Sequence, residues 1–176
     1  MIIGITGKSG SGKNYVAQKL FPRALHVDID TIGHAAIQEP TIITQLFEAF
    51  GHDIMNGDPF RICRKKLGQI VFSDRDAHEK LKDITWPFMR NQIILYFNGY
   101  HNSSVDYDLV LNWVLLPLVE FWDMCELKIL VVRNDDNRFQ SLQQRDGITE
   151  ERMHLRDQNA PQFENYNYDF IILNEK

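Results

Sequence analysis

Cysteine is scarce in this 176-residue chain, and no long apolar run is present. Cys63 and Cys125 stand far apart and form no CxxC pair, which excludes a disulfide framework and a zinc site of the usual spacing. Two free thiols in a reducing compartment are the expectation. The longest apolar stretch, Leu109 to Val119, is broken by Asn112 and Pro117. It falls short of the roughly 20 residues that span a bilayer as a helix. A surplus of basic charge is also missing: 19 Lys and Arg face 24 Asp and Glu, a net charge of −5. That balance argues against broad contact with nucleic acid or membrane, and a small molecule is the expected partner. No charged region followed by an apolar run and a small-residue cleavage site precedes the first apolar segment, so no export signal is expected and the cytoplasm is the expected location. Repeats and low-complexity tracts are absent. The length suits one domain with room for a small subdomain; the oligomeric state is left open.

The stretch that organises the rest is Ile2–Ala17. Ile2, Ile3 and Ile5 form a β-branched run that predicts a buried central strand. Gly7, Lys8, Ser9, Gly10, Ser11, Gly12 and Lys13 follow, and Val16, Ala17 and Leu20 resume at helical spacing. Strand, glycine loop and helix are the context of a phosphate-binding loop. Such a loop turns backbone N–H groups inward, which glycine allows at little cost, and the next helix aims its positive end at the same anion. Lys13 is the candidate for the outer phosphates, and the stretch from Gly7 through Asn14 and Tyr15 is expected to hold ATP. The pattern places Ser or Thr after the lysine to put a hydroxyl on Mg²⁺. Asn14 occupies that position, so an amide oxygen near the metal, directly or through water, is the expectation.

Further along, Ala24–Val27 reads as a second strand ending in Asp28-Ile29-Asp30. In extended geometry these two carboxylates share a face, toward the mouth where open α/β sheets bind ligands. Asp30 is equally suited to cap the helix expected over Thr31–Ile37. From Thr41 to Tyr100 the pattern is helical, with an irregular piece carrying Gly57 and Pro59 and with Pro87 as a kink or break in a long helix. Arg61, Arg64, Lys65 and Lys66 cluster there, either as a solvated face or to meet an acidic substrate. Asp108–Leu116, Lys128–Val132 and Asp169–Leu173 read as strands three to five. Strands alternating with helices indicate an α/β fold with a parallel sheet covered on both faces. Arg138, Arg145, Arg152 and Arg156 fall in the helical region between the last two strands. Arginine there suits a lid that neutralises charge on a transferring phosphoryl group, and Arg145, just before the Asp146-Gly147 turn, is the favoured candidate.

In order, the chain shows the loop, DID at the second strand, Arg64-Lys65-Lys66-Leu67-Gly68 followed by Val71-Phe72 and later Pro87, LLPLVE, Arg145-Asp146-Gly147 with Gln158, and a terminal Asp169 and Asn174. This order resembles the dephospho-coenzyme A kinase family over nearly the whole chain. The resemblance implies a P-loop kinase three-layer sandwich with a five-stranded parallel sheet. It implies a core at 1–38 and 105–176, a helical coenzyme-A-binding insertion at about 39–104 and a lid at about 136–160. It also implies ATP-dependent phosphorylation of the ribose 3′-hydroxyl of dephospho-coenzyme A, with Mg²⁺. Asp30 is similar to the family's base, Lys13 to its phosphate-binding lysine and Arg145 to its lid arginine on ATP. Asp28, Asp30 and Arg64 are the expected acceptor-binding residues. The chain departs from the family at Asn14, at Trp86 where His is usual, at Ser141 where Arg is common, and at Glu164 where Lys is common. Arg138, one turn before Ser141, is the expected substitute. The alternatives are a P-loop kinase with another acceptor and a non-catalytic ATP-binding protein.

Overall fold

The structure, a computed structural model, describes residues 1–57 and 61–175; Pro59 of the irregular piece lies outside the described residues. The chain forms two compact units, Met1–Asp28 with Ser103–Lys176, and Ile29–Asn102.

The first unit carries the sheet. β1 (Ile2–Thr6) is buried along its whole length, as its β-branched run predicts. It lies at the centre of a five-stranded parallel sheet of order β2-β3-β1-β4-β5. The other strands are β2 (Leu25–Asp28), β3 (Leu109–Asn112), β4 (Leu127–Val132) and β5 (Phe170–Leu173). α1 (Lys13–Leu20) buries Val16 and Ala17 against Ile3, Ile5, Val110, Ile129 and Val131. This apolar contact clamps the first helix onto the middle of the sheet, so the loop between β1 and α1 is held at both ends. α6 (Asp135–Asp146) starts at Asn134, whose side chain caps the Asn137 amide. α7 (Glu150–Gln158) starts at Thr149, which caps Arg152. Leu142, Ile148 and Met153 join these two helices in a small core of their own.

The third strand is shorter than its apolar run suggests. Its pairing with β1 and β2 ends at Asn112. Beyond Asn112 the Trp113 amide still reaches Ile5 O and Val114 O accepts from Thr6, and the chain then closes into a short 3₁₀ turn at Leu116–Leu118 around Pro117, which has no amide to extend a ladder.

The second unit is helical: α2 (Ile29–Ala36), α3 (Pro40–Phe50), α4 (Arg64–Val71) and α5 (Arg75–His101). α5 runs through Pro87 without a break. Pro87 is exposed, so the lost hydrogen bond faces water, while Thr85, Met89, Ile93 and Phe97 continue one buried stripe across it. Packing of that stripe outweighs the local cost of proline. Asp74 starts α5 by accepting from the amides of Asp76 and Ala77.

Candidate active site

Each carbonyl of the loop Gly7–Gly12 has a donor. Lys13 Nζ donates to Gly7 O at 3.0 Å and Lys8 O at 3.2 Å. Arg138 Nε donates to Ser9 O at 2.9 Å, Arg133 to Gly10 O at 3.2 Å, and Asn174 Nδ2 to Ser11 O at 2.9 Å. Gly12 O accepts the Val16 amide as the first bond of α1. In a trans peptide the C=O and the following N–H point opposite ways. A carbonyl tied away from the concavity therefore aims the next amide into it, which is how such a loop binds an anion. The N-terminal end of α1 adds its positive pole. Two glycines are required here. Gly7 has φ +144°, and a Cβ on it would lie 2.2 Å from Val131 O; Gly12 has φ +85°, and its Cβ would lie 2.2 Å from Asn174 Nδ2. Lys13 is buried, Tyr15 is exposed on α1, and Lys19 donates to its hydroxyl at 3.4 Å. A small cavity of about 100 Å³ beside the loop is bounded by Lys8, Ser11, Val132, Arg133 and Phe163.

Asn14 is bonded at both ends of its amide. Its Nδ2 donates to Asp28 Oδ2 at 2.9 Å, and its Oδ1 accepts from Asn112 Nδ2. Asp28 is the last residue of β2 and pairs in register with Asn112. Asp30 is not extended as the alternation argument requires: α2 begins at Ile29 and places Asp30 in its first turn, inside the helix and not at its cap. The backbone turns into a helix immediately after Asp28, so the spacing of two no longer means a shared face. Asp30 is exposed and belongs to the second unit.

The lid arginines differ sharply. Arg138, the expected stand-in at the lid, is fully buried. Besides Ser9 O it binds Asp157 Oδ1 at 2.6 Å and Asp135, and Lys8 approaches Asp157 at 3.4 Å. It is a brace of the loop, with its guanidinium fork consumed by protein acceptors. Arg145 is exposed in the last turn of α6 and donates two bonds to Asp146, at 2.8 and 2.9 Å. The expected Arg145-Asp146-Gly147 turn starts two residues later than its sequence suggests, with α6 running through Asp146 and Gly147 in the left-handed conformation closing it. Arg156 on α7 reaches the same carboxylate at 3.1 Å. The Arg145 hydrogen bonds, followed by that of Arg156, hold the Asp146 carboxyl down to about 2, against a smaller opposing effect of burial.

In the second unit, Arg64 opens α4 and lies 2.7 Å from His34 Nε2 of α2; both are exposed. An arginine has only protons to give, so His34 Nε2 is the acceptor in this pair. Lys66 of the same basic cluster donates to Met55 O at 2.8 Å, beside the Met55–Ile62 bridge. Among the described residues no group of three or more His, Cys, Asp or Glu is arranged to hold a metal. Both cysteines are free, and burial pushes the Cys125 thiol up to about 12.

Asn112, Asn174 and Arg133 were not among the candidates drawn from the sequence as site residues. A readable signal existed for the asparagines: each is a lone polar residue at the carboxyl end of an apolar strand, LVLN and FIIL-N, where ligands of parallel sheets bind.

Comparison with known proteins agrees with this geometry. The family model described as dephospho-CoA kinase matches residues 1–176. A dephospho-CoA kinase of Dehalococcoides mccartyi is 32% identical over 181 residues, covering 98% of this chain and 87% of the relative. A Thermus thermophilus crystal structure superposes with a TM-score of 0.78 at 22% identity, over 100% of this chain and 89% of that one. A dephospho-CoA kinase structure from Campylobacter jejuni gives a TM-score of 0.55 at 20% identity, over 99% and 88%. These two structural likenesses concern the fold.

Proposed function

The chain belongs to the dephospho-CoA kinase family, and from that premise we propose that it transfers the γ-phosphoryl group of ATP to the ribose 3′-hydroxyl of dephospho-coenzyme A. The observation that carries this reading is the glycine loop whose six carbonyls each have a donor, with Lys13 bonded to the first two. Such a loop is built to hold the β- and γ-phosphates. In the transfer, a bond forms between the acceptor oxygen and phosphorus while the bond to the β-phosphate oxygen breaks, and ADP leaves. The transition state is loose, so positioning and charge neutralisation supply most of the catalysis.

Lys13 exchanges its carbonyl partners for phosphate oxygens. Asp30 aligns the 3′-hydroxyl and receives its proton. Arg145, held ready by Asp146, turns to the phosphates. Arg64 binds the anionic acceptor. Mg²⁺, when bound with ATP, supplies further neutralisation of the phosphates; the Asp28 carboxylate is the hard oxygen donor whose chemistry fits it. The free thiols support a cytoplasmic setting, and no described helix is long and apolar enough to cross a membrane.

The test is ADP release from Mg²⁺-ATP with and without dephospho-coenzyme A, with Lys13→Ala as the blank. Acceptor-dependent ADP formation, at least about 100-fold above the blank, is expected. ATP binding with no ADP above the blank would replace the reading with a non-catalytic binder. Equal ADP formation with another nucleotide acceptor would change the substrate.

A further inference from the structure

Asn14 follows Lys13, where a P-loop normally offers a hydroxyl to the metal, and both ends of its amide are already engaged. The chemistry of the partners fixes the direction. A carboxylate is acceptor-only, so Asn14 must present its nitrogen to Asp28, which it does at 2.9 Å. Its oxygen is then turned to Asn112, whose Nδ2 donates to it. Flipping the amide would set oxygen against the Asp28 carboxylate. Asn112 makes a good anchor because it cannot move: it is 5% exposed and sits in register between Ile5 of β1 and Asp28 of β2. Its own Oδ1 has no partner among the described residues, so its place in the sheet is retained despite a buried unpaired acceptor. That is what a site residue, and not a core residue, would show. A serine at position 14 has one proton and a shorter reach, and does not bridge both neighbours.

We propose that Asn14 is a positioning residue, which holds the Asp28 carboxylate in place with Asn112 as its buried anchor, and that it does not ligate the metal accompanying ATP. This rests on the kinase reading above. It predicts that a chain departing from the pattern at the metal position has kept the site by moving the constraint onto a carboxylate.

The decisive variant is Asn14→Asp. It keeps the size and improves the oxygen as a metal ligand, but it removes the donor to Asp28 and adds a like charge. If Asn14 positions Asp28, kcat falls about tenfold or more, at least as far as in Asn14→Ala. The affinity of the ADP complex for Mn²⁺, read by electron paramagnetic resonance, falls in Asn14→Ala no further than in Asn112→Leu, because both act through the Asp28 carboxylate. Asn112→Leu gives a loss of similar size, and the double variant is no worse than the worse single one. Mn²⁺ affinity that falls about tenfold in Asn14→Ala and is kept in Asn112→Leu, or Asn14→Asp that stays active, would overturn the proposal. So would losses that add in the double variant. Asn14 is exposed on α1, so its variants keep the test available should Asn112→Leu fail to fold. Wild-type protein without acceptor-dependent ADP release refutes the kinase reading alone. The side-chain amide resonances then still decide the relay: Asn14→Ala must shift those of Asn112, and unshifted resonances overturn it.

Discussion

The two units solve the same problem, placing functional groups, with opposite means. In the sheet unit, Thr6, Ser11, Lys13, Asn112, Arg138 and Asn174 are polar and buried, while in the helical unit Thr85 is the one such residue among those described. The sheet unit ties three of these groups, Lys13, Arg138 and Asn174, to carbonyls of the phosphate loop. The helical unit packs Ile32, Leu46, Ile54, Leu67, Ile93 and Phe97 inside and carries Asp30, His34 and Arg64 on its exterior. Buried polar networks fix a single geometry but are costly to disturb. Exposed groups on an apolar scaffold are cheap to change. A nucleotide's phosphates are the same in every reaction of this type, so the loop that holds them gains from rigidity. Acceptor recognition is the part that differs among related kinases, and it suits residues whose exchange leaves stability alone.

The comparison can be broken most easily at Asp30. Asp30→Asn is expected to lower turnover by about two orders of magnitude or more with no measurable change in urea unfolding or ATP affinity. Undiminished turnover would remove Asp30 from the chemistry. Next in size is a paired contrast in stability. Arg138→Leu leaves Asp157 without its closest partner and Ser9 O without a donor, and it should cost about 3 kcal/mol in unfolding free energy. Arg64→Ala should stay within about 0.5 kcal/mol while raising the KM for the acceptor. Similar costs for the two arginines would erase the distinction between the units.

The smallest effect is one of pH. Asp146 is held at about 2 when folded, below its ordinary 3.8, by Arg145 and Arg156. A depressed carboxyl contributes stability that is fully present above the unfolded value and is lost as pH falls toward the folded one. Asp146→Asn should therefore lower the melting temperature slightly at pH 7 and by much less at pH 2. An equal shift at both values would mean that these hydrogen bonds add nothing to the fold.

Much of the sheet unit was legible in the residues themselves. β-branched runs, glycine spacing and Lys13 locate β1, the loop and α1, because each rests on local backbone preference. The caps at Asn134 and Thr149 follow the same logic. What was not legible depends on distant partners. Arg138 reads as a lid arginine until the structure shows Ser9 and Asp157 around it. The DID motif reads as extended until the start of α2 bends it. Pro87 reads as a break until the buried stripe on either side outweighs it. Asn14 reads as a poor metal ligand when its neighbours in space, Asp28 and Asn112, lie 14 and 98 residues away.

The bond from Asn174 to Ser11 spans 163 residues. On a ribosome, the loop that opens the chain emerges early but waits for β5, the last strand, before Ser11 O finds its donor. Contacts of such separation are slow to form. The loop is thus made before β5 and completed only after it. Closing the sheet and finishing the loop become one event.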